Sequence, residues 1–117
     1  MINIIAPTRY RIGKKRLRPL IFSIMEKCGI AEKTLLNIVF VGKRKMKEIA
    51  LKYKKEDVAL PVLAFPYKDI TIEGEELIGE IFLCYPQVVL LAAEREKRVE
   101  ETILKLIDHG IQNILSH

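Results

Sequence analysis

Residues 35–55 read LLNIVFV-G-KRKMKEIALKYKK. The first seven are rich in apolar, β-branched and aromatic side chains and stop at Gly42, which predicts a strand over 35–41. The spacing then changes. Met46, Ile49, Ala50 and Tyr53 fall at i, i+3, i+4 and i+7, which predicts an amphipathic helix over 43–55. Its other face is Lys43, Lys45, Lys47, Lys52 and Lys54, with Glu48 the only acid. A strand running through one glycine into a strongly basic helix is the unit from which the rest is read.

Upstream, Met1–Ala6 predicts a short strand carrying Ile2, Ile4 and Ile5. Arg9, Arg11, Lys14, Lys15, Arg16 and Arg18 follow with no acid among them. This stretch reads as a basic loop feeding a helix over 18–28, with Pro19 in its first turn, where a missing N–H has no helical partner to lose. Leu20, Ile21, Ile24, Met25 and Cys28 form its apolar stripe, and Gly29 stops it. Downstream, Pro61 and Pro66 bracket a strand at 62–65. Residues 67–77 read as an acidic loop around Gly74, in which Glu73, Glu75 and Glu76 form a solvated turn. Residues 78–84 form another strand. Pro86 opens a helix over about 86–93, and a last helix over about 95–116 carries Val99, Ile103, Leu106, Ile107, Gly110, Ile111 and Ile114 on one face. The order β-α-β-α-β-β-α-α predicts an α/β (α+β) fold. It is a single domain over 1–117, with a small mixed sheet of about four strands covered by helices.

Composition narrows the function classes. Half of the 117 residues are apolar and 30% are charged, which excludes a disordered chain. No apolar run approaches the roughly 18 residues of a membrane span, and the N-terminus lacks a signal-peptide pattern. A cytoplasmic protein is the expectation. Cys28 and Cys84 lack metal-ligand spacing and read as buried small apolar residues. There is no phosphate-binding glycine loop of the Walker or Rossmann type. The charge is divided. Residues 1–55 hold 15 Lys/Arg against three acids, whereas residues 56–117 hold five Lys/Arg against 12 acids. A basic half of net +12 beside an acidic half of net −7 points to a polyanion-facing surface, with nucleic acid first among candidates.

Both histidines lie near the end, in HGIQNILSH (109–117). Helical residues four apart share a side, so position 113 is where a second imidazole would complete a metal grip with His109. It is Asn113, and a neutral amide is a poor zinc ligand beside imidazole. His117 is eight residues on, rotated by about 80° on an ideal helix. Asp108 beside His109 points about 100° away from it.

Taken together, NIVFV (37–41), Met46, Tyr53-Lys54, VLAFP (62–66), IGEIFLCYPQV (78–88) and LIDHG (106–110) resemble the bacterial YbeY family of rRNA maturation factors. The resemblance covers about residues 34–117. Family members show a TDVLSFP segment, an LGDI strand start and a closing HGxLHLxGxDH motif whose three histidines hold a zinc-type ion. The resemblance implies a metal-dependent, single-strand-specific endoribonuclease acting in small-subunit rRNA maturation. It implies rRNA and the small ribosomal subunit as partners, with a ribosomal protein and an Era-type GTPase. His109 and Gly110 match the start of the closing motif. Asn113 stands at the second histidine, Ser116 at the motif glycine, and the sequence ends two residues before the third histidine's place. Leu60 and Pro61 replace Thr-Asp, Ala64 the Ser and Glu80 the Asp of LGDI. Lys54 stands where the family has an Arg, keeping the charge and losing the planar fork that grips phosphate bidentately.

The resulting candidate site has Lys54 and His109 as catalytic residues and His109 as metal ligand, with His117 and Asn113 as lesser candidates and Glu80 in attendance. Arg9, Arg11, Lys14, Lys15, Arg16, Arg18, Lys43, Arg44, Lys54 and Lys55 are the RNA-binding set. Tyr53 is expected to pack with its apolar helix face, and Tyr67 and Tyr85 to pack in the core or rim. Two alternatives stand beside the nuclease: a metal-free RNA- or ribosome-binding member of the same family, and an unrelated small α/β protein-interaction domain.

Overall fold

A computed structural model describes residues 1–116. The elements run β1 (Ile2–Ile5), α1 (Lys14–Lys27), β2 (Leu35–Val41), α2 (Lys43–Lys54), β3 (Val62–Pro66), β4 (Thr71–Ile72), β5 (Glu75–Cys84), α3 (Tyr85–Glu94) and α4 (Val99–Leu115). The main sheet has the order β1-β2-β5-β3, with the two-residue β4 paired to β5 outside that path. β1, β2 and β5 are parallel, and β3 runs antiparallel on β5. The expected mixed sheet of about four strands covered by helices is the one found.

Alternation along the strands sends side chains to two faces. Ile2, Ile4, Leu36, Ile38, Phe40, Ile81 and Leu83 form one face, under α1 and α4. Ile107 and Ile111 of α4 are fully buried there, each contributing about 1.5–3 kcal/mol relative to exposure. The opposite face carries Val41, Leu63 and Cys84 and is covered by Met46, Ile49 and Ala50 of α2. Helix α2, with Ala59 and Leu60 after it, packs on that side, and Ile5 of β1 is exposed.

Two glycines set how closely the layers approach. A Cβ on Gly110 would meet Ile81 Cδ1 at 2.9 Å, and one on Gly79 would meet the Phe65 carbonyl oxygen at 2.6 Å and Ile114 Cδ1 at 2.7 Å. The glycines of IGEI and of His-Gly thus permit the contact between α4 and the sheet.

The structure corrects three boundaries. Helix α1 begins at Lys14, capped by Gly13, and encloses Pro19. Pro19 withholds one helical N–H on the exposed side, while Leu17, Ile21 and Met25 hold the buried side. Leu20, expected in the stripe, is exposed. Residues 71–77 are not loop: β4 and β5 form a hairpin in which Ile72 pairs Glu75. Glu73 and Gly74 both have positive φ, 52° and 81°, the requirement of a two-residue type I′ turn. Helix α4 starts at Val99, because Arg95 closes α3 and Glu96 turns the chain at φ 55°.

Candidate functional site

Helix α2 is built against its own electrostatics. Its first turn carries Lys43, Arg44 and Lys45 and no acid, so cations sit at the positive end of the helix dipole, where each costs about 0.3–1 kcal/mol at low salt. The apolar face of Met46, Ile49 and Ala50 offsets this by packing on the sheet. Lys52 and Lys54 lie in the last turn, and Lys55 closes the helix at φ 60°. The salt bridges along the helix are both long, Lys45–Glu48 at 3.8 Å and Lys47–Asp57 at 4.0 Å between exposed side chains. A cationic strip therefore runs the length of the helix, about 18 Å.

The two ends of the strip lead to different cavities. At the N-terminal end a cavity of about 510 Å³ is lined by Arg9, Tyr10, Lys43, Arg44 and Lys45. The Arg9 guanidinium lies 4.8 Å from the Tyr10 ring centroid, and Tyr10 packs on Tyr85 with centroids 4.7 Å apart. Tyr85 also meets Phe40 edge-on, which is the rim packing expected of it. At the C-terminal end a cavity of about 230 Å³ is lined by Lys54, Glu56, Val62, Ala64, His109 and Asn113. The fold thus brings Lys54, His109 and Asn113 together from α2 and α4, across β3. His109 is exposed on its mouth, and Gly110 beneath it is buried against Ile81.

The other basic candidates divide. Arg16 pairs with Glu100 at 2.9 Å, and Arg18 donates to the Ile2 carbonyl, so both are tied into the α1 side. Arg11 lines a cavity beside Glu100. Lys14 and Lys15 are exposed at the start of α1. Among the candidates from 9–18, Arg9 is the residue that shares a cavity with Lys43 and Arg44.

A three-ligand zinc site does not fit the donors described. His109 is a strong donor, Asn113 offers an amide, and the Lys54 ammonium lines the same cavity. Among the described residues no three His, Cys, Asp or Glu side chains come together to hold a metal ion. Glu80 is not in attendance on His109, because its side chain lies on the α2 side of the sheet. His117 lies outside the described residues. Asp108 accepts from Gln112 one turn on, at 3.5 Å. Both cysteines are free thiols, Cys84 buried and Cys28 half-buried, and burial pushes the Cys84 thiol pKa up.

Sequence reading missed a polar row on the α2 face of the sheet. Asn3 Nδ2 donates to Asn37 Oδ1 at 3.0 Å, Asn37 Nδ2 to Glu80 Oε2 at 3.3 Å, and the Tyr67 hydroxyl to Glu80 Oε1. Strand register aligns Asn3, Asn37 and Glu80, and the period-two pattern held the signal. Burial, then the Glu80 bond, pushes the Tyr67 pKa up to about 12, so the phenol stays a donor at neutral pH. Beside this row lies a cavity of about 480 Å³ walled by Tyr53, Phe65, Phe82 and Tyr67. Tyr53 is 58% exposed and packs edge-on against Phe65, with centroids 5.0 Å apart.

The model of the family described as Endoribonuclease YbeY matches residues 6–117. The chain belongs to the YbeY family. Endoribonuclease YbeY of Thermodesulfovibrio yellowstonii is 30% identical over 83 residues, which are 71% of this chain and 52% of that protein. The chain therefore aligns with about half the length of that relative. Endoribonuclease YbeY of Neorickettsia sennetsu is 26% identical over 113 residues, 97% of this chain and 78% of that protein. That of Thermus thermophilus is 27% identical over 106 residues, covering 87% and 73%. The solution structure of a Thermotoga maritima protein covers 95% of this chain and 69% of its own, at a TM-score of 0.66 and 24% identity; that likeness shows the fold. The YbeY match extends the resemblance of residues 34–117 back through the basic stretch that carries Arg9.

Proposed function

We propose that this chain is a YbeY-type endoribonuclease that acts on single-stranded rRNA in maturation of the small ribosomal subunit, in the cytoplasm. The observation that carries the reading is the basic strip of α2 ending at the cavity shared by Lys54 and His109. Phosphates of a strand laid along α2 are held by Lys43, Arg44 and Arg9 at one end and by Lys54 and Lys55 at the other. Lys54 offers a point charge to the phosphate beside His109, stabilising negative charge as it builds up in phosphodiester cleavage. The His109 imidazole is the general acid–base candidate in that cavity. Partners are rRNA and the assembling small subunit, with a ribosomal protein and an Era-type GTPase as the expected proteins.

The zinc-type ion of the family would need donors beyond those described around His109. That observation favours a second reading, an RNA- or ribosome-binding member that does no metal chemistry. One experiment separates them. A labelled single-stranded rRNA fragment is incubated with the protein, with its His109→Ala variant, and with chelator or added zinc. The nuclease reading expects cleavage that His109→Ala abolishes. Salt-sensitive binding with no cleavage under any condition would replace it by the second reading.

A further inference from the structure

The cavity between α2 and the open sheet face is separate from the Lys54–His109 cavity and plays no part in the chemistry proposed for it. It has three properties at once. Its walls are aromatic, with the exposed Tyr53 ring standing edge-on to Phe65, which in turn stands edge-on to Phe82 at 5.7 Å. Its floor is polar: the Glu80 carboxylate is held in place by donors on both sides, the Tyr67 hydroxyl and the Asn37 amide. Its rim is cationic, with Lys45 and Lys52 flanking it, and Lys45 is loosely paired to the rim carboxylate Glu48. Its volume, about 480 Å³, is in the range of small-ligand pockets.

Resting on the RNA reading above, we propose that this cavity is a subsite for one guanine base of a single-stranded RNA, stacked on Tyr53 and read by Glu80. Unstacked RNA bases are bound by aromatic faces and recognised on their Watson–Crick edges. A carboxylate offers acceptors only, about four lone-pair positions over its two oxygens. Tyr67 and Asn37 use one position on each oxygen, leaving one on each for a ligand. Guanine is the base whose Watson–Crick edge places two donors side by side, N1–H and the 2-amino group. Adenine and cytosine set a ring-nitrogen acceptor beside their amino group, and uracil flanks its single donor with two carbonyls. Those edges put an acceptor against the carboxylate. Tyr53 and Lys54 are consecutive residues of α2, Tyr53 lining this cavity and Lys54 the His109 cavity.

The test is fluorescence anisotropy with uridine hexamers carrying one central guanosine, adenosine or inosine, at low and at moderate salt. The wild type is expected to bind the guanosine hexamer about tenfold or more tighter than the adenosine one. The inosine hexamer, which lacks the 2-amino group, should fall between them. In Glu80→Gln the guanosine and adenosine hexamers should bind alike. Tyr53→Ala removes an exposed ring without opening the core, and should weaken the guanosine hexamer at least about fivefold. Equal, salt-sensitive binding of guanosine and adenosine by the wild type would overturn the subsite and leave the RNA reading standing. A guanosine preference that survives in Glu80→Gln would overturn it as well. Failure of every hexamer to bind at low salt would overturn the RNA reading itself, and the subsite with it.

Discussion

Gly79→Ala is the substitution whose cost the structure sets most directly. Gly79 lies in β5 opposite Pro66, beneath α4. The new methyl would lie 2.6 Å from the Phe65 carbonyl oxygen and 2.7 Å from Ile114 Cδ1. Both are well inside van der Waals contact, which begins near 3.5 Å. Ile114 can move its end methyl, but the Phe65 oxygen is backbone in the neighbouring strand and cannot yield without shifting β3. Overpacking of this kind costs about 1–3 kcal/mol, and a backbone clash belongs at the upper end. Replacing glycine in a strand returns about 0.5–1 kcal/mol of chain entropy. The net expectation is a loss of about 2 kcal/mol, or a fall in Tm of about 6–12 °C for a domain of this size. Thermal and urea unfolding followed by circular dichroism measure it. Gly13→Ala is the steric control, since its nearest foreign atom is Arg16 Cβ at 3.8 Å; as the N-cap of α1 it should cost about 1 kcal/mol or less, a fall in Tm no more than about half that of Gly79→Ala. A Gly79→Ala protein as stable as the wild type would refute the claim that this glycine sets the spacing of β3, β5 and α4.

Three further outcomes follow from named contacts. Lys54→Ala should weaken single-stranded RNA binding and reduce the magnitude of the log–log salt slope by about 0.7, the loss of one phosphate contact; a filter-binding titration at several salt concentrations reads both. Glu73→Asn should raise Tm by a few degrees, because Asn tolerates the positive φ of the first turn position better than Glu and makes the Asn-Gly pair favoured in type I′ hairpins; no gain in a thermal melt would contradict the assigned turn. Tyr67 ionises near 10 when unfolded and near 12 when folded. Between those values the unfolded chain binds fewer protons, so stability falls as pH rises from about 10 to 12. Tyr67→Phe should lose that component, flattening the profile in urea melts across the window, and an unchanged profile would remove Tyr67 from it.

Much of the fold was legible because its signals are local. The strand–glycine–helix unit at 35–55 shows its two periodicities within 21 residues, and the apolar face of α4 repeats over four turns. What was misplaced depends on turn chemistry and tertiary support. Pro19 looked like a helix start, yet Leu17, Ile21 and Met25 bury enough surface to carry α1 past it. The acidic run at 71–77 looked like loop because Glu73 is a poor turn residue, and Gly74 alone marks the hairpin. For the site, sequence separation was the barrier. Lys54 and His109 are brought to one cavity by the packing of α2 and α4 on either side of β3, and family resemblance rather than spacing linked them. Glu80 was read as a companion of His109. The alternation of β5 sends it to the opposite face, where Asn37 and Tyr67 hold it. Arg16 and Arg18 were counted with the RNA-facing cations, and only the fold reveals their partners Glu100 and Ile2.

The central claim is that the α2 strip and the Lys54–His109 cavity engage single-stranded RNA. The direct measurement is the affinity for a single-stranded rRNA fragment as a function of salt, in the wild type and in a Lys43→Ala/Arg44→Ala/Lys54→Ala variant. The account predicts a linear fall of log affinity with log salt, with a slope of about −0.7 per phosphate held. The variant's slope should be shallower by about two units. No binding at low salt, or a slope the triple variant leaves unchanged, would contradict it.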